Sequence, residues 1–101
     1  MKMLIIVARD SMLGELEELL RNNGITGYTI LPHVLGKGLS GRVHGTFLQP
    51  DINSVIFSVV PSDQADKAVT ALTVLHTARG SATRGQPVPL KVFTFPCQEH
   101  V

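Results

Sequence analysis

Between Lys2 and Arg9 the chain carries six consecutive aliphatic residues, Met3-Leu4-Ile5-Ile6-Val7-Ala8. An apolar run without alternation predicts a central strand buried on both faces. Met12, Leu16, Leu19 and Leu20 then recur at helical spacing, with Glu15, Glu17 and Glu18 on the solvent side, which predicts an amphipathic helix. Asp10 or Ser11 is placed to cap it, and Asn22-Asn23-Gly24 to end it, because glycine accepts the left-handed conformation that closes many helices. Gly27-Tyr28-Thr29-Ile30-Leu31 has the β-branched and aromatic content of a second strand. Pro32 has no amide to donate, so this strand belongs at a sheet edge or a bulge.

From Gly36 to Pro50 neither period is sustained, and Gly36, Gly38, Gly41 and Gly45 oppose both helix and strand. The segment reads as a fifteen-residue loop. Loops of that length are uncommon in small domains unless they serve a function. Ile52 to Val60 forms a third strand stopped by Pro61. Ser62 or Asp63 is placed to cap a second helix with Ala65, Val69, Leu72 and His76 on one face and Asp66 and Lys67 on another. A second loop, 79–89, runs from Arg79-Gly80 to Pro89, and Leu90 to Phe95 forms a fourth strand closed by Pro96.

The predicted order, β-α-β-β-α-β, is that of the ferredoxin-like split βαβ: an α+β fold with an antiparallel four-stranded sheet and both helices on one face. The 101 residues form a single domain. The other face of the sheet is left uncovered, and with 44% hydrophobic residues it is expected to pack against another subunit.

Composition narrows the function classes. A net charge of +1 argues against a nucleic-acid binder acting through bulk positive charge. The strands also lack the exposed paired aromatics that stack bases, Phe93 and Phe95 reading as core or subunit interface. One cysteine, Cys97, excludes an internal disulfide framework and any multi-cysteine metal centre, and points to a reducing, cytoplasmic setting. The apolar runs are too short to insert in a membrane.

The average charge conceals an asymmetry. Residues 33–50 contain Lys37, Arg42, His33 and His44, and residues 76–91 contain Arg79, Arg84, Lys91 and His76, with no acid in either segment. Together they hold five of the nine Lys and Arg residues and six of the nine glycines. Glycine-rich backbone lets an anion approach amide donors while Lys and Arg supply charge, an arrangement suited to phosphate or carboxylate. Neither segment has the spacing of a phosphate loop or a dinucleotide fingerprint.

Gly24-Ile25-Thr26-Gly27-Tyr28-Thr29, the turn Gly36-Lys37-Gly38, the long loop, Val59-Val60-Pro61-Ser62-Asp63-Gln64 and Lys91-Val92-Phe93-Thr94-Phe95-Pro96 together resemble the P-II nitrogen-regulatory signalling proteins. The resemblance implies a non-enzymatic sensor: a homotrimer whose sheets face inward, with an adenine-nucleotide cleft at each subunit boundary. It also implies that residues 36–50 are the T-loop that touches a protein partner, such as a membrane transporter or a metabolic enzyme. Thr29 is then expected near the adenine, Gly36, Lys37 and Gly38 near the phosphates, and Lys91 at the phosphate-binding lysine of the family.

The departures sharpen this expectation. Val88-Pro89-Leu90 replaces the glycine–aspartate–glycine that precedes the family's lysine, and Arg79 or Arg84 is expected to compensate. The chain ends at Val101, before the arginines that typical members carry. Both features imply AMP or ADP rather than magnesium-bound ATP. The only tyrosine, Tyr28, is outside the loop, which excludes uridylylation of a loop tyrosine. A short loop carrying Ser40, Arg42 and His44 beside Lys37 is more similar to the divergent P-II-like proteins of transporters and carboxysomes, for which bicarbonate is the expected second ligand. The competing reading is a metal-responsive protein of the divalent-cation-tolerance type, with Cys97 and His100 as its nearest approach to a ligand pair. The four histidines and Cys97 show no zinc-motif spacing, so no metal and no catalytic residue is assigned. His76 is expected to be a satisfied structural histidine.

Overall fold

The computed structural model describes residues 1–35, 52–82 and 88–101. Within them the chain forms β1 (Lys2–Arg9), a 3₁₀ turn (Asp10–Met12), α1 (Leu13–Asn22), β2 (Thr29–Leu35), β3 (Ile52–Val60), α2 (Ser62–Ala82) and β4 (Leu90–Pro96). The strands pair antiparallel in the order β2-β3-β1-β4. This is the expected ferredoxin-like α+β sheet with β1 in its interior, but β1 is buried on one face rather than two: Leu4, Ile6 and Ala8 are buried, while Ile5 and Val7 on the helix-free side are only half-buried.

Alternation along each strand divides the sheet into two faces. Leu4, Ile6 and Ala8 of β1, Ile56 and Val60 of β3 and Leu90 of β4 are buried in one cluster with Met12, Leu16 and Leu20 from the first helical segment and Ala65, Ala68 and Leu72 from α2. Two serines share this side of β3, and each hydroxyl is partnered. Ser58 Oγ donates to the Gly27 carbonyl at 2.5 Å, and Ser54 Oγ donates to Asp10 Oδ1 at 2.6 Å. Burial therefore leaves neither hydroxyl orphaned, which would otherwise cost about 1–3 kcal/mol each.

Several local expectations are corrected. Neither Asp10 nor Ser11 caps α1: the position before the helix is Met12, with no side-chain cap, because Asp10 is engaged by Ser54. At α2 the Ala65 amide donates to the Pro61 carbonyl at 3.0 Å, so Ser62 lies inside the first turn. Its hydroxyl accepts from the Met1 amino group. Strand β2 starts at Thr29 and continues past Pro32 to Leu35, with a register shift between Leu31 and Val34. The expected edge position and the expected bulge therefore both occur, since an edge strand has one row of amides that need no partner in the sheet.

A further correction concerns Arg79 and Gly80, which belong to α2 rather than opening a loop. Arg79 donates to the Glu15 carboxylate across the two helices. A Cβ on Gly80 would meet Val88 at 3.8 Å, so the missing side chain leaves ordinary packing room rather than a break. His76 is exposed rather than structural. The stripe of Ala65, Ala68 and Leu72 continues through Leu75, which turns the next residue toward solvent.

The end of α1 follows the sequence reading closely. Gly24 has φ +80°, and a Cβ there would lie 3.0 Å from Gln64 Nε2, which donates to the Gly24 carbonyl at 2.6 Å. Gly24→Ala is expected to lower stability by about 1–2 kcal/mol from backbone strain alone. Urea unfolding checks this, and an unchanged midpoint would contradict it.

Candidate functional site

Among the described residues, no helix packs on the second face of the sheet. Register places Thr29, Phe57, Ile5 and Phe93 in one row across the four strands, Leu31, Val55, Val7 and Lys91 in the next, and Val59, Met3 and Phe95 in a third. Phe93 is 53% exposed, Phe95 45% and Leu31 48%. Large apolar side chains this open and this contiguous mark an interaction surface rather than a solvated face.

Two of the predicted ligand residues border that surface. Thr29 lies on edge strand β2 and Lys91 on edge strand β4, both exposed. With strands about 4.8 Å apart, three spacings and the one-row offset put these backbones roughly 16 Å from each other. One ligand touching both therefore either spans the apolar face of a single chain or sits where two copies meet. Arg79 stands elsewhere, in the last turn of α2 with Glu15 as its partner. Gly36, Lys37, Gly38, Ser40, Arg42 and His44, as well as Arg84, are outside the described residues.

The departure at Val88-Pro89-Leu90 has a structural use. Val88 and Leu90 are buried in the core. The Leu90 amide donates to the Val88 carbonyl at 2.8 Å, and the Pro89 carbonyl accepts from the Arg9 amide at 3.3 Å. Pro89 has no amide of its own. Val88 and Leu90 thus fill the core, and neither the Pro89 nor the Leu90 position offers a free backbone donor.

One polar cluster escaped the sequence reading. Asp10 Oδ1 accepts from the buried Ser54 hydroxyl and lies 3.7 Å from His33 Nδ1. His33 falls in the β2 register shift at φ +56°. Only the pair Pro32-His33, interrupting a strand-like run of Thr, Ile, Leu and Val, signalled an irregularity there. Tyr28, in contrast, is tied down beside α1. Its hydroxyl donates to Glu17 at 2.6 Å, and that hydrogen bond, reinforced by burial and by the Glu17 charge, raises the phenol above its ordinary value.

Met1, Cys97, Gln98, Glu99 and His100 line an open cleft of about 500 Å³ beside the chain ends. Among the described residues no group of three His, Cys, Asp or Glu side chains is placed to hold a metal ion. No described helix is long and apolar enough to cross a membrane.

Solved structures share this architecture. CPII, a nitrogen regulatory PII-like protein from Thiomonas intermedia K12 bound to ADP, AMP and bicarbonate, superposes with a TM-score of 0.71 at 24% identity, over 93% of this chain and 82% of that one. Its apo form gives 0.66 at 21% identity, over 93% and 85%. A PII-like signalling protein from Thermus thermophilus gives 0.58 at 20% identity, over 93% and 82%. No curated protein sequence is significantly similar to the chain. The family model for nitrogen regulatory protein P-II matches residues 1–100. Together with the split βαβ sheet and its uncovered face, that match shows that the chain belongs to the P-II family.

Proposed function

We propose that this P-II family chain is a non-enzymatic sensor that assembles as a trimer through its open sheet face and binds ADP or AMP where two copies meet. The observation that carries the reading is the placement of Thr29 and Lys91 at opposite edges of one apolar face. A charged nucleotide laid across Phe57, Ile5 and Phe93 would lose its hydration without gaining partners, at a cost of several kcal/mol. When the faces of neighbouring copies close on one another, edge residues from different chains meet and the ligand stays at the rim.

The second ligand in this reading is bicarbonate, held with Lys37, Ser40, Arg42 and His44. The state of segment 36–50 then reports the ligand to a protein partner, such as a transporter or an enzyme of inorganic-carbon metabolism in the cytoplasm. Support for the ligands comes from CPII, whose structures carry ADP, AMP and bicarbonate. Preference for two phosphates or one over three is supported by Val88-Pro89-Leu90, which contributes core packing where a polyphosphate would need donors.

Calorimetry with AMP, ADP, ATP and cyclic AMP, each with and without bicarbonate, tests the reading. AMP or ADP is expected to bind below millimolar concentration and more tightly than ATP, and failure of all four would remove it. Lys91→Ala is expected to weaken ADP by about 1.5–3 kcal/mol, the range for a charge-assisted hydrogen bond. Unchanged affinity would take Lys91 out of the site.

A further inference from the structure

The turn that closes α1 brings together two groups that can react with each other and that the nucleotide site does not use. Asn23-Gly24 is the one Asn-Gly pair in the sequence. With no side chain on the following residue, nothing shields the Gly24 backbone nitrogen from the Asn23 carboxamide. That nitrogen gives its proton to solvent hydroxide and attacks Asn23 Cγ. The N–Cγ bond forms, the Cγ–Nδ2 bond breaks, and Nδ2 leaves as ammonia with a proton taken from water. Water then opens the cyclic imide. Attack at Cγ leaves aspartate at position 23, and attack at the main-chain carbonyl carbon routes the backbone through the side chain as isoaspartate. Water is the one co-reactant, consumed as ammonia is released.

Solvent reaches this bond. Gly24 is exposed and Asn23 half-buried, and both line an open cleft of about 470 Å³ with Asp63, Gln64 and Lys67. The fold nevertheless ties down each reacting group. The Gly24 amide donates to the Arg21 carbonyl at 3.0 Å and the Ile25 amide to the Leu20 carbonyl at 2.9 Å. With Gly24 at φ +80°, these are the two bonds of a Schellman closure. Asn23 Nδ2, the leaving group, donates to the Leu19 carbonyl at 2.8 Å. From α2, Gln64 Nε2 donates to the Gly24 carbonyl at 2.6 Å. While these bonds stand, the nucleophile's proton is engaged and the carboxamide is held on α1.

We propose that Asn23-Gly24 is a site of spontaneous deamidation, gated by opening of the α1 terminus. The product cannot restore the closure. A carboxylate at position 23 has no N–H for the Leu19 carbonyl, and it places negative charge at the C-terminal end of a helix, where the macrodipole opposes it. Isoaspartate also adds a backbone carbon before the Gly24 nitrogen, which moves Gly24 out of register with Arg21 and Gln64. Each event therefore loosens the connection from α1 to β2 permanently.

The test incubates full-length wild type and Gln64→Ala in mildly alkaline buffer, both native and unfolded in guanidinium chloride. Peptide mapping by mass spectrometry follows aspartate and isoaspartate at position 23. The native wild type is expected to react at least about tenfold more slowly than the unfolded chain, because the closing bonds must open together first. Gln64→Ala removes one of them and is expected to speed the native reaction about 2- to 10-fold, with the unfolded rate unchanged. Asn23→Asp reproduces one product and is expected to unfold at a lower urea concentration than the wild type. Equal rates in native and unfolded wild type, no reaction at Asn23 in the unfolded chain, a native Gln64→Ala rate equal to wild type, or an Asn23→Asp chain as stable as wild type each overturns the proposal. If Gln64→Ala does not fold, the wild-type comparison and Asn23→Asp decide it.

Discussion

Phe93→Asp is expected to turn the proposed trimer into separate, folded chains. In the single chain Phe93 is 53% exposed and lies beside Ile5 on the open face, so an aspartate there remains hydrated and removes little packing. Strand preference changes against it by up to about 1 kcal/mol. In the assembly the balance is different. Each copy loses roughly 1.5–3 kcal/mol of phenylalanine burial and also has to desolvate a carboxylate, which costs several kcal/mol more. The sum exceeds about 4 kcal/mol per copy, or roughly a thousandfold in association. Light scattering coupled to size exclusion should give a trimer mass for the wild type and a single-chain mass for the variant. A variant that remains trimeric would show that the open face is not the contact. Phe95→Asp, in the third row of the same face, is expected to behave alike at a position two residues further from Lys91.

The second large effect lies on the other side of the sheet. Leu20 is fully buried, at 0% exposure, in the cluster that joins α1 to β1 and α2, and its carbonyl accepts the Ile25 amide at 2.9 Å where the chain turns toward β2. Leu20→Ala is expected to lower stability by about 2–5 kcal/mol, transfer and cavity contributions together. For a domain of this size each kcal/mol is worth roughly 4–8 °C in Tm. The proposed assembly would add stability of its own by mass action. The comparison therefore belongs at one fixed protein concentration, or in the Phe93→Asp background. A loss below about 1 kcal/mol would mean that α1 packs differently.

The contrast between these two residues explains what could be read from the sequence. Uninterrupted apolar runs such as Met3 to Ala8, and prolines that close strands such as Pro61 and Pro96, locate β1, β3 and β4 because burial and the missing proline amide act locally. Gly24 marks the end of α1 for the same reason. Capping failed as a guide, because Asp10 and Ser62 bond to Ser54 and to the Met1 amino group, partners distant in sequence. Helix α2 runs on through Arg79, which pairs with Glu15 across the two helices, despite the weak helix preference of Gly80. The charge asymmetry was legible, but its geometry was not. Of the acid-free segments, Lys91 stands on the open face and Arg79 is paired on the helical side, while the glycine-rich turn at Gly36, Lys37 and Gly38 lies outside the described residues.

The central claim is that ADP binds between copies of the chain, so it is tested most directly by titrating ADP into the wild type and into single-chain Phe93→Asp or Phe95→Asp under identical conditions. The account predicts saturable binding approaching one ADP per chain in the assembled wild type and none at sub-millimolar concentration in the dissociated variants. Equal affinity for ADP in a separated chain would contradict it.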